Sequence, residues 1–193
     1  MSSQSLTRWM GERAEALDEI EAAHATVGGT ERGRRYATQQ INFSYAALLS
    51  GHFQGFCRNL HSECIDHIVS VTLPALHAIL HREFIWNRSL SRRNPHPGAV
   101  GSDFNRLGID LWREVYALDA RNERRRELLQ ELVDWRNAIA HQDFDPVAAG
   151  GVPTLHLAKV QGWRSAVNNL ARSLDQAMYN YLRALIGFDP WRL

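Results

Sequence analysis

The sequence predicts an all-α, single-domain helical bundle, and three observations carry that prediction. Apolar residues recur at spacings of three and four along most of the chain, strand-like alternation is nearly absent, and Gly- and Pro-rich breaks mark off whole helices. With 193 residues, 45% of them hydrophobic and 22% charged, the chain is long enough to bury a substantial core and has an ordinary globular composition.

The elements follow in chain order. A first helix is expected from about Ser5 to Ala25, with Leu6, Met10, Ala14, Leu17 and Ile20 on one side. Gly28 and Gly29 stop it. A long second helix runs from about Arg34 to Val71, where Ile41, Tyr45, Leu48, Leu49, Phe53, Phe56, Leu60, Cys64 and Ile68 form one wide buried stripe. Pro74 ends or kinks it, and helix resumes to about Trp86. The segment "NRSLSRRNPHPGAVGSD", Asn87 to Asp103, reads as a loop. A shorter helix follows from about Leu107 to Leu118, and Asp119 is placed to cap the next, from about Ala120 to Gln142. Asp145, Pro146, Gly150, Gly151 and Pro153 mark a second loop, and a last long helix spans about Val160 to Ile186. The expected bundle has an N-terminal helix and linker over 1–33 and a core over 34–193, with two long antiparallel helices plus shorter ones.

Formal net charge is +1, so no global field draws the protein to nucleic acid or membrane, and any polyanion binding must come from a local patch. Lys159 is the only lysine; arginine supplies the remaining positive charge, and its fork suits bidentate phosphate contacts. Cys57 and Cys64, seven residues apart on one helix, stand roughly 10 Å apart by the helical rise, too far to bridge. Two reduced, half-buried thiols suit a reducing compartment. The N-terminal stretch has no secretory h-region and no apolar run approaches the ~18 residues of a membrane span. A soluble, cytoplasmic protein is expected.

One stretch departs from simple core building: "DWRNAIAHQDF", Asp134 to Phe144. On a helical projection with Leu128 at zero, Arg136 falls at about 80°, inside an apolar arc that extends to about 140°. Asn137 and His141 fall at about 180° and 220°, one turn apart on the other side. A guanidinium in a buried stripe is costly unless it is paired or opens onto a wet cleft. The structural alternatives are a buried Arg136–carboxylate pair and a His141 that merely complements the helix dipole. Asp143 and Asp145 are placed to orient His141.

The segment "RNAIAH", Arg136 to His141, resembles the R-x4–6-H signature of the HEPN superfamily, including the asparagine after the arginine. The long helix "NFSYAALLSGHFQGFCRNLHSECI" resembles the HEPN helix that packs on the motif helix, and "WRSAVNNLARSLDQAMYNYLRALIGFDPW" is similar to the C-terminal helix of the RiboL-PSP-HEPN branch. The likeness covers the chain from about Arg34 onward. It implies a helical homodimer acting as a metal-independent endoribonuclease without cofactor, in a toxin–antitoxin or phage-defence role. Arg136 and His141 are then the catalytic pair and Asn137 a positioning residue; an antitoxin protein is an expected partner. RNA brings its own nucleophile, the 2′-OH, so cleavage needs a proton-transfer group and fixed positive charge where the phosphorane forms, and histidine and arginine supply these. The positions around His52 and Gln54, where many HEPN proteins have an acidic residue facing the motif, offer no carboxylate. Asp143 stands where some HEPN toxins carry a tyrosine that is adenylylated. The competing expectation is a catalytically inactive HEPN module that binds a partner protein or nucleotide.

Arg121, Arg124 and Arg125 of "RNERRR", with Arg113, are candidates to grip RNA phosphates; a salt-bridged solvent face with Glu123 and Glu127 is the alternative. Arg88, Arg92 and Arg93 form a second basic cluster. His77 and His81 have the i, i+4 spacing of metal ligands, but no glutamate follows the first histidine and no third ligand is evident, so core or surface histidines are expected and no metal site. Trp163, Tyr179, Tyr181 and Trp191 read as core or interface anchors. No phosphate-binding glycine loop, nucleophile elbow or paired Cys-x-x-Cys is present.

Overall fold

The computed structural model describes residues 2–28, 36–142, 144 and 154–191. Among them are eight helices and no strand: α1 (Gln4–Met10), α2 (Glu12–Gly28), α3 (Tyr36–Ser70), α4 (His77–Ile85), α5 (Pro97–Asn105), α6 (Leu111–Leu118), α7 (Asn122–His141) and α8 (Leu157–Ile186). Short 3-10 turns at Pro74–Leu76 and Ser89–Ser91 link α3 to α4 and α4 to α5.

The expected bundle is present, with four local corrections. The first helix breaks at Gly11, whose N–H closes α1 on the Thr7 carbonyl, so that α1 and α2 are separate. The segment read as a loop to Asp103 turns helical at Pro97: proline at the first helical position lacks only an N–H with no helical acceptor, and the His96 side chain caps the turn by accepting from the Ala99 amide at 3.2 Å. The helix expected from Leu107 begins at Leu111, behind an Asp110 cap, because Gly108 adopts a left-handed φ of 92°. Asp119 does not cap α7. Its carboxylate takes the Arg121 amide and the Arg121 and Arg125 guanidiniums, and α7 starts at Asn122.

The α3 helix is the axis of the molecule. Tyr45, Leu49, Phe53, Phe56, Leu60 and Ile65 are fully buried along it, and both cysteines, expected half-buried, are completely enclosed. Burial pushes both thiols well above their usual range. The two long helices expected to be antiparallel, α3 and α8, are not; α7 runs antiparallel to both of them. Phe43, early in α3, lies against Phe144 just beyond α7, while Trp163 of α8 meets Trp135 and Glu131 of α7. The two longest helices, α3 and α8, therefore run alongside in the same direction, with Arg164 near Tyr45 at one end and Trp191 near His67 at the other.

Polar clamps set these packings. Glu21 accepts from Tyr45, Gln161 and Arg164, and Arg164 also meets Asp18 at 2.7 Å, which joins α2, α3 and α8. Desolvation alone would raise the Glu21 pKa, but the hydrogen bonds from Tyr45, Gln161 and Arg164 outweigh it and hold the carboxyl below its usual range. Glu63 accepts the amides of Gln4 and Ser5 and the Ser5 hydroxyl, fixing the α1 N-terminus to α3.

His61 is fully buried on α3, with Nε2 3.0 Å from the Asp103 carbonyl and its ring edge-on to Phe104. That contact makes Nε2–H the donor. Burial, reinforced by the nearby Arg88 charge, lowers its pKa from 6.5 to about 4. Between those values the unfolded chain binds the proton and the folded chain does not, so stability falls as pH drops through this window. We predict that wild type loses about 2–3 kcal/mol relative to His61→Gln between pH 7 and pH 4.5, measured by urea unfolding. Parallel pH curves for the two proteins would show that His61 is not held neutral.

Candidate functional site

The C-terminal half of α7 faces a structured strap formed by residues 88–96. Arg88, only 7% exposed, donates to the Arg58 carbonyl and the hydroxyls of Ser62 and Ser91. The buried Asp103 carboxylate accepts the amides of Ser89 and Leu90 at 2.8 and 2.7 Å. Leu90 enters the core, and Gln54 of α3 donates to the carbonyls of Leu90 and Arg93 at 2.9 and 2.8 Å. These bonds satisfy a run of backbone groups that no regular helix covers, and they fix where the side chains of residues 92–94 emerge.

The side chains emerge beside the motif. Asn94 donates to the Asn137 side-chain oxygen, which also receives an Arg136 N–H at 3.4 Å. An open cavity of about 460 Å³ lies here, lined by Arg92, Arg93, Asn94 and His96 of the strap and by Gln130, Val133, Arg136 and Asn137 of α7. No carboxylate lines it among the described residues, and none of the three arginines forms an ion pair among them. Arg136 is half-buried: it lies in the apolar stripe, as its helical angle requires, at the point where the strap leaves the stripe open to solvent. Three guanidiniums facing one cavity repel each other, so an anion there relieves the repulsion and has forked donors waiting for it.

His141 lies apart from this cavity. It occupies the last turn of α7 and is exposed. Gln142 ends the helix in the left-handed conformation, and Phe144 folds back onto Phe43 and Trp135. Arg136 and His141 are thus presented by the same helix on different sides, and one protomer does not bring them together. Asp143 and Asp145, expected to orient His141, lie outside the described residues.

The other expected site residues are placed as follows. Arg121, Arg124 and Arg125 stand at the opposite end of α7, roughly 25 Å from His141 by the helical rise. Each is engaged: Arg121 and Arg125 with Asp119, and Arg124 with Glu127 at 2.5 Å. Arg113 lies beside Glu114. His77 contacts the Thr72 carbonyl and His81 the Asp66 carboxylate, so the two rings have separate partners. Trp163 and Trp191 are buried, and Tyr179 and Tyr181 pack against the core. Among the described residues no cluster of three or more metal-ligating side chains occurs, and no helix is long and apolar enough to cross a membrane.

Sequence reasoning missed Asn94, His96 and Gln130, and marked the Gln54 position only for its lack of a carboxylate. One signal was readable: His-Pro-Gly at 96–98 places a capping residue before a proline at the first helical position, which would have shortened the loop and set His96 at its end. Nothing local marks the roles of Gln54 and Asn94, which arise from contacts 36 and 43 residues apart in sequence. No family model, curated protein or solved structure matches the chain.

The strap depends on Asp103, and this dependence is measurable. Asp103→Ala leaves two amides without their carboxylate, at a cost of about 2–4 kcal/mol. Amide exchange at Ser89 and Leu90 should accelerate more than the global stability loss accounts for. Exchange that changes only with global stability would show that the strap is held by other contacts.

Proposed function

We propose that this protein is a HEPN-type, metal-independent endoribonuclease that works as a homodimer in the cytoplasm, with a toxin or phage-defence role and an antitoxin protein as its neutralising partner. The observation that carries the reading is the placement of Arg136: it is neither sealed off nor neutralised by a carboxylate among the described residues, and it lines an open cavity on the helix that also carries His141. The reaction is an internal transfer. The 2′-oxygen attacks phosphorus, its proton passes to a base, the 5′-oxygen leaves and takes a proton, and the products are a 2′,3′-cyclic phosphate and a 5′-OH. His141 moves the protons, Arg136 stabilises the charge that builds on the non-bridging oxygens, and Asn137 positions Arg136. The two faces of one helix are reconciled across a two-fold axis, where His141 of one protomer meets Arg136 of its partner.

A second reading has one observation in its favour. His141 does not line the arginine cavity, as expected of a catalytically inactive HEPN module that holds a nucleotide or a partner protein there.

The two readings separate in one assay. Wild-type protein should cut single-stranded RNA in EDTA and leave 2′,3′-cyclic phosphate ends. His141→Ala and Arg136→Ala should each lower the rate by roughly 100-fold or more without changing Tm. RNA left intact with and without added metals, or a His141→Ala protein that cuts like wild type, removes the nuclease assignment and leaves the binding module.

A further inference from the structure

The HEPN reading assigns chemistry to α7 alone and gives the 88–96 strap no part in it. We propose that Arg92 and Arg93 of the strap form, together with Arg136, a phosphate-binding subsite for the backbone of single-stranded RNA. The inference rests on the reading above for its choice of RNA, and on the cavity itself for its choice of phosphate.

The donor set points to a phosphate group. Arg92, Arg93 and Arg136 line one cavity with the Asn94–Asn137 pair and with Gln130, whose amide donates to Asp134 beside it, and no carboxylate lines the cavity among the described residues. Arg121, Arg124, Arg125 and Arg164 all meet carboxylates within 3.0 Å, whereas Arg92, Arg93 and Arg136 form no ion pair among the described residues. The cavity thus gathers three such cations on one open surface.

The strap is also built to hold its position. Asp103, Arg88 and Gln54 anchor residues 88–93 through side-chain bonds to α3 and α5, and Asn94 closes the strap onto α7. Arg92 and Arg93 themselves remain exposed. A fixed backbone under free cationic side chains lowers the ordering cost of gripping a ligand. His96 completes the frame. Its Nδ1 is occupied by the Ala99 amide, so the neutral ring carries its proton on Nε2, which makes it a further donor and not a base in this position. His96 is thus a positioning and binding residue, and proton transfer stays with His141.

The cavity takes a phosphodiester by its forked donors, and among the described residues Val133 is the one apolar side chain that lines it. Binding is expected to follow the chain backbone with little sequence preference at this point, and base selection must be made elsewhere.

The test uses full-length His141→Ala protein, which should bind without cutting, and a fluorescein-labelled 12-nucleotide uridine RNA, followed by anisotropy over a series of salt concentrations. Adding Arg92→Ala and Arg93→Ala should weaken binding roughly tenfold and reduce the salt slope by about 1.4, which is about 0.7 for each lost phosphate contact on a single strand. Adding Arg124→Ala should change neither, since that side chain is paired with Glu127. Both strap residues are exposed, so an unchanged Tm is expected and checks the fold. Affinity and slope unchanged in the strap variant overturn the proposal. A strap variant that loses binding of adenosine monophosphate but keeps RNA affinity overturns it too, in favour of a free nucleotide. Failure here is distinguishable from failure of the nuclease reading. If wild type cuts RNA and the strap variant binds normally, only the subsite falls; if the strap governs RNA affinity and wild type cuts nothing, only the catalytic assignment falls.

Discussion

The Asp103 carboxylate, buried against the amides of Ser89 and Leu90, is the contact on which the candidate site depends. The chain between α4 and α5 has to cross the open end of the α3–α7 groove, and an irregular segment there carries backbone groups that need partners. Asp103 meets two of them, Gln54 two more, and Leu90 fills the space beneath. The result is a connection whose backbone is bonded on two sides and seated on the core through Leu90. It stands against α7 at the place where Arg136 leaves the apolar stripe. Without it Arg136 would face bulk water; with it the guanidinium lines a cavity whose other wall is also cationic.

The two ends of α7 show how charge is divided in this protein. At the N-terminal end Asp119, Glu127 and Asn122 take up Arg121, Arg124 and Arg125, in contacts whose exposed members are worth little individually. At the C-terminal end the strap brings arginines and amides to a cavity that no carboxylate lines among the described residues. In sequence both are clusters of arginine, and neither cluster shows which acids reach it in the fold. Pairing in three dimensions decides which cations remain available.

The fold class was legible because the signal is periodic and local: the α3 stripe, the α7 arc and the α8 pattern all follow from spacing, and their boundaries moved by only a few residues. The misplacements have local causes as well, such as the Gly11 break, the Pro97 start and the left-handed Gly108. The site was only half legible. Arg136 stood out because a charge sits at an apolar angle, a statement that needs one helix and no neighbours. Arg92 and Arg93 were visible as a basic cluster, but not as the facing wall, because that depends on Gln54 and Asp103 reaching the strap across the fold. His141 was equally visible in sequence, and the structure separates it from the cavity within one protomer.

The central claim is that RNA lies between the strap and the C-terminal half of α7. Photocrosslinking of 4-thiouridine-substituted RNA to the native protein, read out by mass spectrometry of the crosslinked peptides, addresses it most directly. The account predicts crosslinks in the peptides that carry Arg92–His96 and Gln130–His141. Crosslinks confined to the Arg121–Arg126 end of α7, or the absence of any crosslink along the strap, would contradict it.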